Sequence, residues 1–247
     1  MKNSVQPAWV LGRRSYRDSG LLVELLTAES GRASVVVKGA HRKQRGGTYA
    51  SLMQPFCPIL VSLGGHSELK YLSSAESAGV AISLPGEQLF SGLYMNELLV
   101  RLLPKFDSAP RLFAHYGLSL SELGQSPNAS LALRRFEMTL FEELGYQIQW
   151  SRDHRGRKIL PSHYYSFAPD RGFIEREQVH ATDVFLGADL AAIGAWYDQS
   201  DALSDLSRLA LKHVMRQAID YRLDGRPLKV REALAQWRSL GQMEGQG

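Results

Sequence analysis

Apolar and polar positions alternate in short runs through the first third of the chain, then recur at spacings of three and four. Apolar runs at Ala8 to Leu11, Leu21 to Leu26, Ala33 to Val37 and Pro55 to Leu63 are set apart by polar and glycine turns such as Asp18-Ser19-Gly20 and Ser30-Gly31. Leu69 and Tyr71 alternate with Glu68 and Lys70, the signature of a half-buried strand. Five strand signals in such quick succession predict a small closed barrel. An OB-fold fits this pattern, and an SH3-like barrel satisfies the same periodicity.

Ser83-Leu84-Pro85-Gly86 punctuates the change of texture and marks an expected domain boundary, with an OB-fold domain over 1–82 and a helical domain over 83–247. Leu89, Phe90, Leu93, Tyr94, Leu98, Leu99, Leu102 and Leu103 recur at helical spacing until Pro104. A second helix is predicted from Pro110 to Leu123. A third runs from Ser126 to Gly145, with Pro127 at its first position and Leu133, Phe136, Leu140 and Leu144 as its core face. The helical pattern fails from Trp150 to Ile174, which reads as an extended or hairpin insertion covering about 150–178. Helices resume over Ser200 to Tyr221 and Pro227 to Leu240, and Gly241 to Gly247 reads as a frayed tail. The fold class is therefore α+β, a barrel followed by a mainly helical domain, with no internal repeat.

Composition is that of a globular protein: 247 residues, 44% hydrophobic, 22% charged, formal net charge +4. The charge is unevenly placed. The first eighty residues carry ten Lys and Arg against five Asp and Glu, a surplus that favours a polyanionic partner. Solubilising surface charge explains it equally well. The single cysteine, Cys57, lies in an apolar run and reads as a buried structural thiol, consistent with a reducing cytoplasm. Met1 to Pro7 lacks the apolar core of a signal peptide, and Val184 to Tyr197 is too short to span a bilayer. The expected location is cytoplasmic and nucleoid-associated, away from membrane.

The segment Lys38 to Gly47 holds Lys38, Arg42, Lys43 and Arg45 with no acid before Tyr49. A basic loop ending in glycine can follow a phosphate backbone; the bland alternative is a solvated turn, and the surrounding basic strands favour binding. Arg13, Arg14, Tyr16 and Arg17 form a second cluster at the first turn, and Arg32 adds to it. Arg208, Lys212 and Arg216 are spaced by four and make a basic ridge, which is either a solvated face or an extension of the phosphate track. On the third helix, Leu131, Arg134, Met138 and Phe141 share a stripe beside Arg135. A cation in an apolar stripe suits a peptide that ends in hydrophobic and acidic groups. A structural ion pair with Glu137 or Glu97 accounts for it equally. The seven histidines show no metal-ligand spacing, and no P-loop or nucleophile-elbow motif is present. No catalytic residues, metal site or cofactor are expected. The rival classes are an RNA-binding OB protein of translation or RNA turnover, and a metal-dependent nuclease.

Several segments, taken in order, resemble the RecO family of bacterial recombination mediators. They are Gly31-Arg32, Val37-Lys38-Gly39-Ala40, Gln54-Pro55-Phe56, Ser91 to Leu99, Leu133 to Glu137, Glu142 to Tyr146, and Gly225 to Lys229. The resemblance implies an N-terminal OB-fold and a helical domain. It implies binding of single- and double-stranded DNA, ATP-independent annealing, and partnership with RecR and with the acidic tail of single-stranded DNA-binding protein in loading RecA. By the same likeness Arg134 and Arg135 become candidates for the tail, and the loop Lys38, Arg42, Lys43, Arg45 the leading DNA contact. Many members carry a four-cysteine zinc module in the region matching 150–178; this chain has no cysteine there, so the insertion is expected to be held by packing alone.

Overall fold

The computed structural model describes residues 4–43, 47–125, 130–177, 183–199 and 202–244. The chain forms two compact units, Met1–Ala129 with Leu228–Gly247, and Ser130–Pro227. Residue 83 therefore marks where strands give way to helices, whereas the compact units divide later, because the first two long helices and the last one pack with the barrel.

In the first unit β1 (Val5–Tyr16), β2 (Gly20–Thr27), β3 (Gly31–Val37), β4 (Pro58–Gly64) and β5 (Lys70–Ser77) close a barrel in the order β1-β2-β3-β5-β4. All pairings are antiparallel except β3 with β5. A short helix, α1 (Tyr49–Leu52), separates β3 from β4. This is the OB-fold expected from the strand spacing. The run from Pro55 starts its strand only at Pro58, because Phe56 takes a positive φ of 65° and turns the chain. Alternation along β1 to β4 puts Val10, Val23, Leu25, Val35, Val37, Ile59 and Val61 inside. Cys57 is buried with them, and burial pushes its thiol above the ordinary value.

Helices α2 (Glu87–Leu102), α3 (Pro110–Gln125) and α7 (Lys229–Glu244) complete the unit. The register of β1 on β2 slips between Val10 and Gly12, leaving Leu11 as a bulge. Its carbonyl accepts from the buried Asn96 side chain of α2 at 2.8 Å, and the Tyr116 hydroxyl of α3 donates to Asn96 at 2.6 Å. Trp9 meets the Tyr116 ring edge-on and lies against Gly117, where an added Cβ would come within 3.1 Å of its ring. A second tie runs from β3: Arg32 donates to the Leu103 carbonyl at 2.8 Å and pairs with Glu24 at 3.0 Å. Gly31, at φ 66°, lies so close to the Asp107 carbonyl that any side chain would collide with it. On α7, Glu97 of α2 accepts from the backbone N–H groups of Lys229 and Val230, capping the helix from outside. Arg238 grips Glu87 with two bonds of 2.7 Å, and these hold the Glu87 carboxyl below its ordinary value. The helix continues through Glu244, past the expected fraying point at Gly241.

The second unit contains α4 (Ser130–Glu143), β6 (Tyr164–Ala168), β7 (Gly172–Arg176), β8 (Val184–Leu186), α5 (Gly187–Gln199) and α6 (Asp205–Arg222). The predicted start of α4 at Ser126 and Pro127 lies outside the described residues. The buried face of α4 is wider than the predicted stripe: Ala132, Phe136, Glu137, Met138, Thr139, Leu140 and Phe141 are all inside, whereas Leu133 and Leu144 are half-buried. The α5 helix was not predicted. Its sequence is apolar almost throughout, so it shows no clear period, and its first residue, Gly187, is pressed against the Leu160 carbonyl. The α6 helix starts at a Ser204 cap four residues after the predicted Ser200. The insertion is a hairpin, β6 with β7, with β8 on the other edge of β6.

Replacing Asn96 by Leu keeps the volume but strands the buried Leu11 carbonyl. The expected loss is about 1–3 kcal/mol, read from the urea midpoint. A midpoint equal to wild type would remove Asn96 from the tie.

Candidate nucleic-acid interface

Two loops meet at one end of the barrel. Tyr16 pairs with Gly20 across a tight turn, and Arg17 within it has φ 52° and lies 5.3 Å from the Tyr16 ring. Leu21 pairs with Val37, so the loop leaving β3 emerges beside that turn. Ala40 is fully buried; its N–H donates to the Ser19 carbonyl at 3.0 Å, and its carbonyl accepts from Ala50 at 2.8 Å. The base of the basic loop is therefore anchored to the first turn and to α1, while Lys38, Arg42 and Lys43 point outward and are exposed. Gly39, at φ 56°, makes the turn that separates Lys38 from Arg42. Arg45 lies outside the described residues.

The remaining predicted cations of the barrel divide. Arg14 is exposed near the end of β1. Arg13, placed in the strand rather than at a turn, donates to the Ala50 carbonyl and braces α1. Arg32 is spent on Glu24 and the Leu103 carbonyl, with 12% of its side chain exposed, so it is a structural residue. The structure thus brings together Arg14, Arg17, Lys38, Arg42 and Lys43; Arg13 stays exposed while it donates to the Ala50 carbonyl, and Arg32 is turned inward. Arg17 enters because tight β1–β2 pairing places it beside the loop.

In the second unit the ridge Arg208, Lys212 and Arg216 is present and exposed along α6. Arg208 reaches back to the Leu203 carbonyl at 3.2 Å, and Arg216 lies 3.7 Å from Asp220. Leu206, 69% exposed, and Leu209 stand on the same open side of the helix. The α4 stripe differs from its expected form. Met138 and Phe141 are buried, and Arg134 pairs at 2.7 Å with Glu137, whose side chain is fully enclosed. The Arg135 guanidinium lies 4.8 Å from the Trp196 ring, and Leu131 is half-buried. A pit beside Met138 and Phe141 has a volume of about 20 Å³, room for a water molecule and too small for a side chain. Met138 and Phe141 of the stripe are core, whereas Leu131, Arg134 and Arg135 are half-buried at its edge.

A family model for the N-terminal part of recombination protein O matches residues 1–80, and its C-terminal counterpart matches residues 86–232. The chain belongs to the RecO family. A Methylococcus capsulatus protein named DNA repair protein RecO is 40% identical over 230 residues, covering 91% of this chain and 90% of the relative. Proteins of that name from Coxiella burnetii and Pseudomonas putida are 38% and 40% identical, over 94% and 92% of this chain and 97% and 95% of theirs. No described helix is long and apolar enough to cross a membrane.

The four-cysteine zinc module that RecO resemblance implies for the insertion does not fit the residues present. The segment has no cysteine, and no group of three potential ligands is gathered among the described residues. Nor is the insertion held by packing alone. Asp153, almost wholly enclosed, accepts from the backbone N–H groups of Arg155 and Arg157, each at 2.9 Å, and from the Arg157 side chain at 2.7 Å. Arg157 also reaches Glu175 at 3.0 Å, and Glu175 holds His163 through Nδ1. Apolar packing adds Trp150 and Phe167 against the buried Phe173. Burial pushes the Asp153 carboxyl up, but the bonds from Arg157 and Arg155 outweigh it and hold the group below its ordinary value. The His163 bond lowers Glu175 most, desolvation opposes it, and charge from His163 and Arg157 adds to the lowering.

Both carboxyls are depressed in the fold, so their stabilisation is present at neutral pH and is lost as acid carries them through their lowered values. The second unit is expected to lose stability below about pH 4, with Trp150 emission as the readout. Asp153→Asn is expected to be less stable at neutral pH and to show a shallower acid dependence. A wild-type stability that stays flat from neutral to strongly acid solution would exclude the network as the brace. Arg134→Ala leaves Glu137 as an enclosed carboxylate without its cation and is expected to cost about 3–5 kcal/mol, whereas the paired change R134M/E137M recovers most of it. Calorimetry in which the single and double variants melt together would argue against the ion pair.

Proposed function

We propose that this protein is a DNA repair recombination mediator. On this reading it binds single- and double-stranded DNA, anneals complementary strands without ATP, and helps load RecA onto strands coated with single-stranded DNA-binding protein, with RecR as a partner. Family membership supports the reading. The observation that carries it is the anchored cluster of exposed cations, Arg14, Arg17, Lys38, Arg42 and Lys43, at one end of an OB-fold barrel.

The physical task is modest in chemistry and demanding in electrostatics. Two complementary strands repel one another through their phosphates, and each holds a layer of condensed counterions. Fixed cations on the barrel replace those ions, and their release favours binding. Ala40 holds the loop by its base, against the Ser19 carbonyl and the Ala50 N–H. Backbone contacts of this kind do not read sequence, as an annealing protein requires. No bond is made or broken by the protein, and the reading asks for no catalytic residue or cofactor. Docking onto the acidic tail of the coat protein raises the local concentration at coated strands. The half-exposed Leu131 and Arg135 of α4 and the ridge Arg208, Lys212 and Arg216 are the surfaces available for such contacts in the helical unit.

Changing Lys38, Arg42, Lys43 and Arg45 together to Ala is expected to weaken single-strand binding and to lower the slope of log affinity against log salt by roughly three, at ~0.7 per phosphate contact. An unchanged slope removes the loop from the interface. With strands coated by single-stranded DNA-binding protein, annealing is expected without ATP or metal and is expected to fall when the coat protein lacks its acidic tail. Preference for RNA in competition would favour the translational class of OB protein, and loss of labelled DNA on adding magnesium would indicate a nuclease.

A further inference from the structure

A cleft of about 260 Å³ lies wholly within the second unit, between the segment 146–149, the β6–β7 turn and the last turn of α6. Two helix ends fix its rim. At the end of α4, Tyr146 donates its N–H to the Phe141 carbonyl at 2.7 Å and Gly145 donates to Glu142 at 2.9 Å, with Gly145 at φ 76°. At the end of α6, Gly225 donates to Asp220 and Asp224 to Tyr221, both at 3.1 Å, with Asp224 at φ 54°. Both are Schellman closures, which hold the flanking residues in single backbone conformations. They place Tyr146 and Tyr221, both exposed, near Arg222; Tyr146 and Arg222 line the cleft and Tyr221 adjoins Arg222. The Arg222 guanidinium lies 3.3 Å from the Tyr146 ring centroid and 5.5 Å from that of Tyr221.

This cation beside two aromatic rings takes no part in the core. Tyr146 is 44% exposed and Tyr221 is 52% exposed. Two further guanidinium groups, Arg152 and Arg171, line the cleft together with the carboxamides of Gln147 and Gln149. Of the two acids there, Asp153 is committed to Arg157 and backbone N–H groups, and Asp170 lies 3.7 Å from Arg171. Aromatic faces beside arginines suit a single nucleic-acid strand: every base has a π-face to stack, and every linkage has a phosphate to pair. Carboxamides can both donate to and accept from base edges. An acidic peptide with an apolar end needs a pit for its side chain, and the adjoining one holds about 20 Å³.

We propose that this cleft is a second contact for single-stranded nucleic acid. A base stacks on the Tyr146–Arg222–Tyr221 platform, and the flanking phosphates meet Arg152 and Arg171. The inference rests on the nucleic-acid reading above, but it is independent of the barrel loop. It gives annealing a physical form: the barrel holds one strand by its phosphates while the cleft holds another by its bases. Duplex DNA keeps its bases stacked on one another, so the platform discriminates between strand and duplex.

The test uses the full chain, a labelled oligothymidylate and a duplex of the same length, by anisotropy. The double variant Y146A/Y221A is expected to bind the single strand about tenfold less tightly and the duplex as wild type does, whereas Y146F/Y221F retains both. Each is made alone and combined with the four-residue loop variant. Single-strand affinity within about twofold of wild type in both backgrounds overturns the proposal, as does equal loss on strand and duplex. Loss of acidic-peptide binding with single-strand binding intact also overturns it and assigns the cleft to a protein partner. If the loop variant binds like wild type while Y146A/Y221A loses the strand, the loop assignment fails and the cleft stands. Photocrosslinking of wild-type protein to an oligonucleotide carrying 5-iodouracil covers the case in which a variant does not fold. An adduct on Tyr146 or Tyr221 is expected, and adducts confined to the barrel overturn the proposal.

Discussion

The first unit depends on one backbone carbonyl. A closed barrel has few spare ladder positions, so an interruption of the pairing is where a helix can take up a strand carbonyl directly. The bulge at Leu11 supplies that interruption, and Asn96 takes up the carbonyl it exposes. Tyr116 then fixes the Asn96 amide, and burial together with this bond makes the pair a neutral, enclosed network; burial pushes the Tyr116 hydroxyl far above its ordinary value. A satisfied buried network of this kind specifies one arrangement, because every alternative leaves a polar atom unpaired. The α2 and α3 helices are thereby held on the barrel, and α2 in turn caps and clamps α7 through Glu97 and Glu87.

Arginine does two opposed kinds of work in this chain. Arg32 and Arg134, both largely enclosed, are turned toward a carbonyl or a carboxylate and hold elements together. Arg14, Arg42 and the ridge on α6 keep their charge at the surface. The division matters for function, since only the second kind can exchange counterions with a phosphate backbone. It also explains how a chain of net charge +4 presents a concentrated cationic end: internal pairing consumes charge elsewhere.

The Asp153 centre illustrates a related economy. The hairpin packs Tyr165, Phe167 and Phe173 with Trp150, and a ring of charged bonds joins its segments besides. Such bonds are strong where the carboxylate is enclosed and fully satisfied, as it is here. The cysteine-free composition of the insertion was plain in the sequence. The brace that adds to packing was not, because Asp153, His163 and Glu175 have no periodic relation.

Alternating apolar runs and close-set turns were enough to identify a five-stranded barrel, and spacings of three and four placed most of the helices. The basic loop was legible for the same reason: strand, loop and charge are adjacent in the chain. The α5 helix was hidden because exposed positions such as Ala188 and Ala191 are themselves apolar, so no polar face marks its period. Tertiary structure alone decided which cations remain available. Arg32 meets Leu103 across a separation that no local pattern encodes. Met138 and Phe141 of the α4 stripe became core because other elements cover them, whereas Leu131 stayed half-buried. The sequence by itself determined the elements and the family. Which side chains are spent on the fold depended on pairing between distant segments, and that is settled only when the chain is closed.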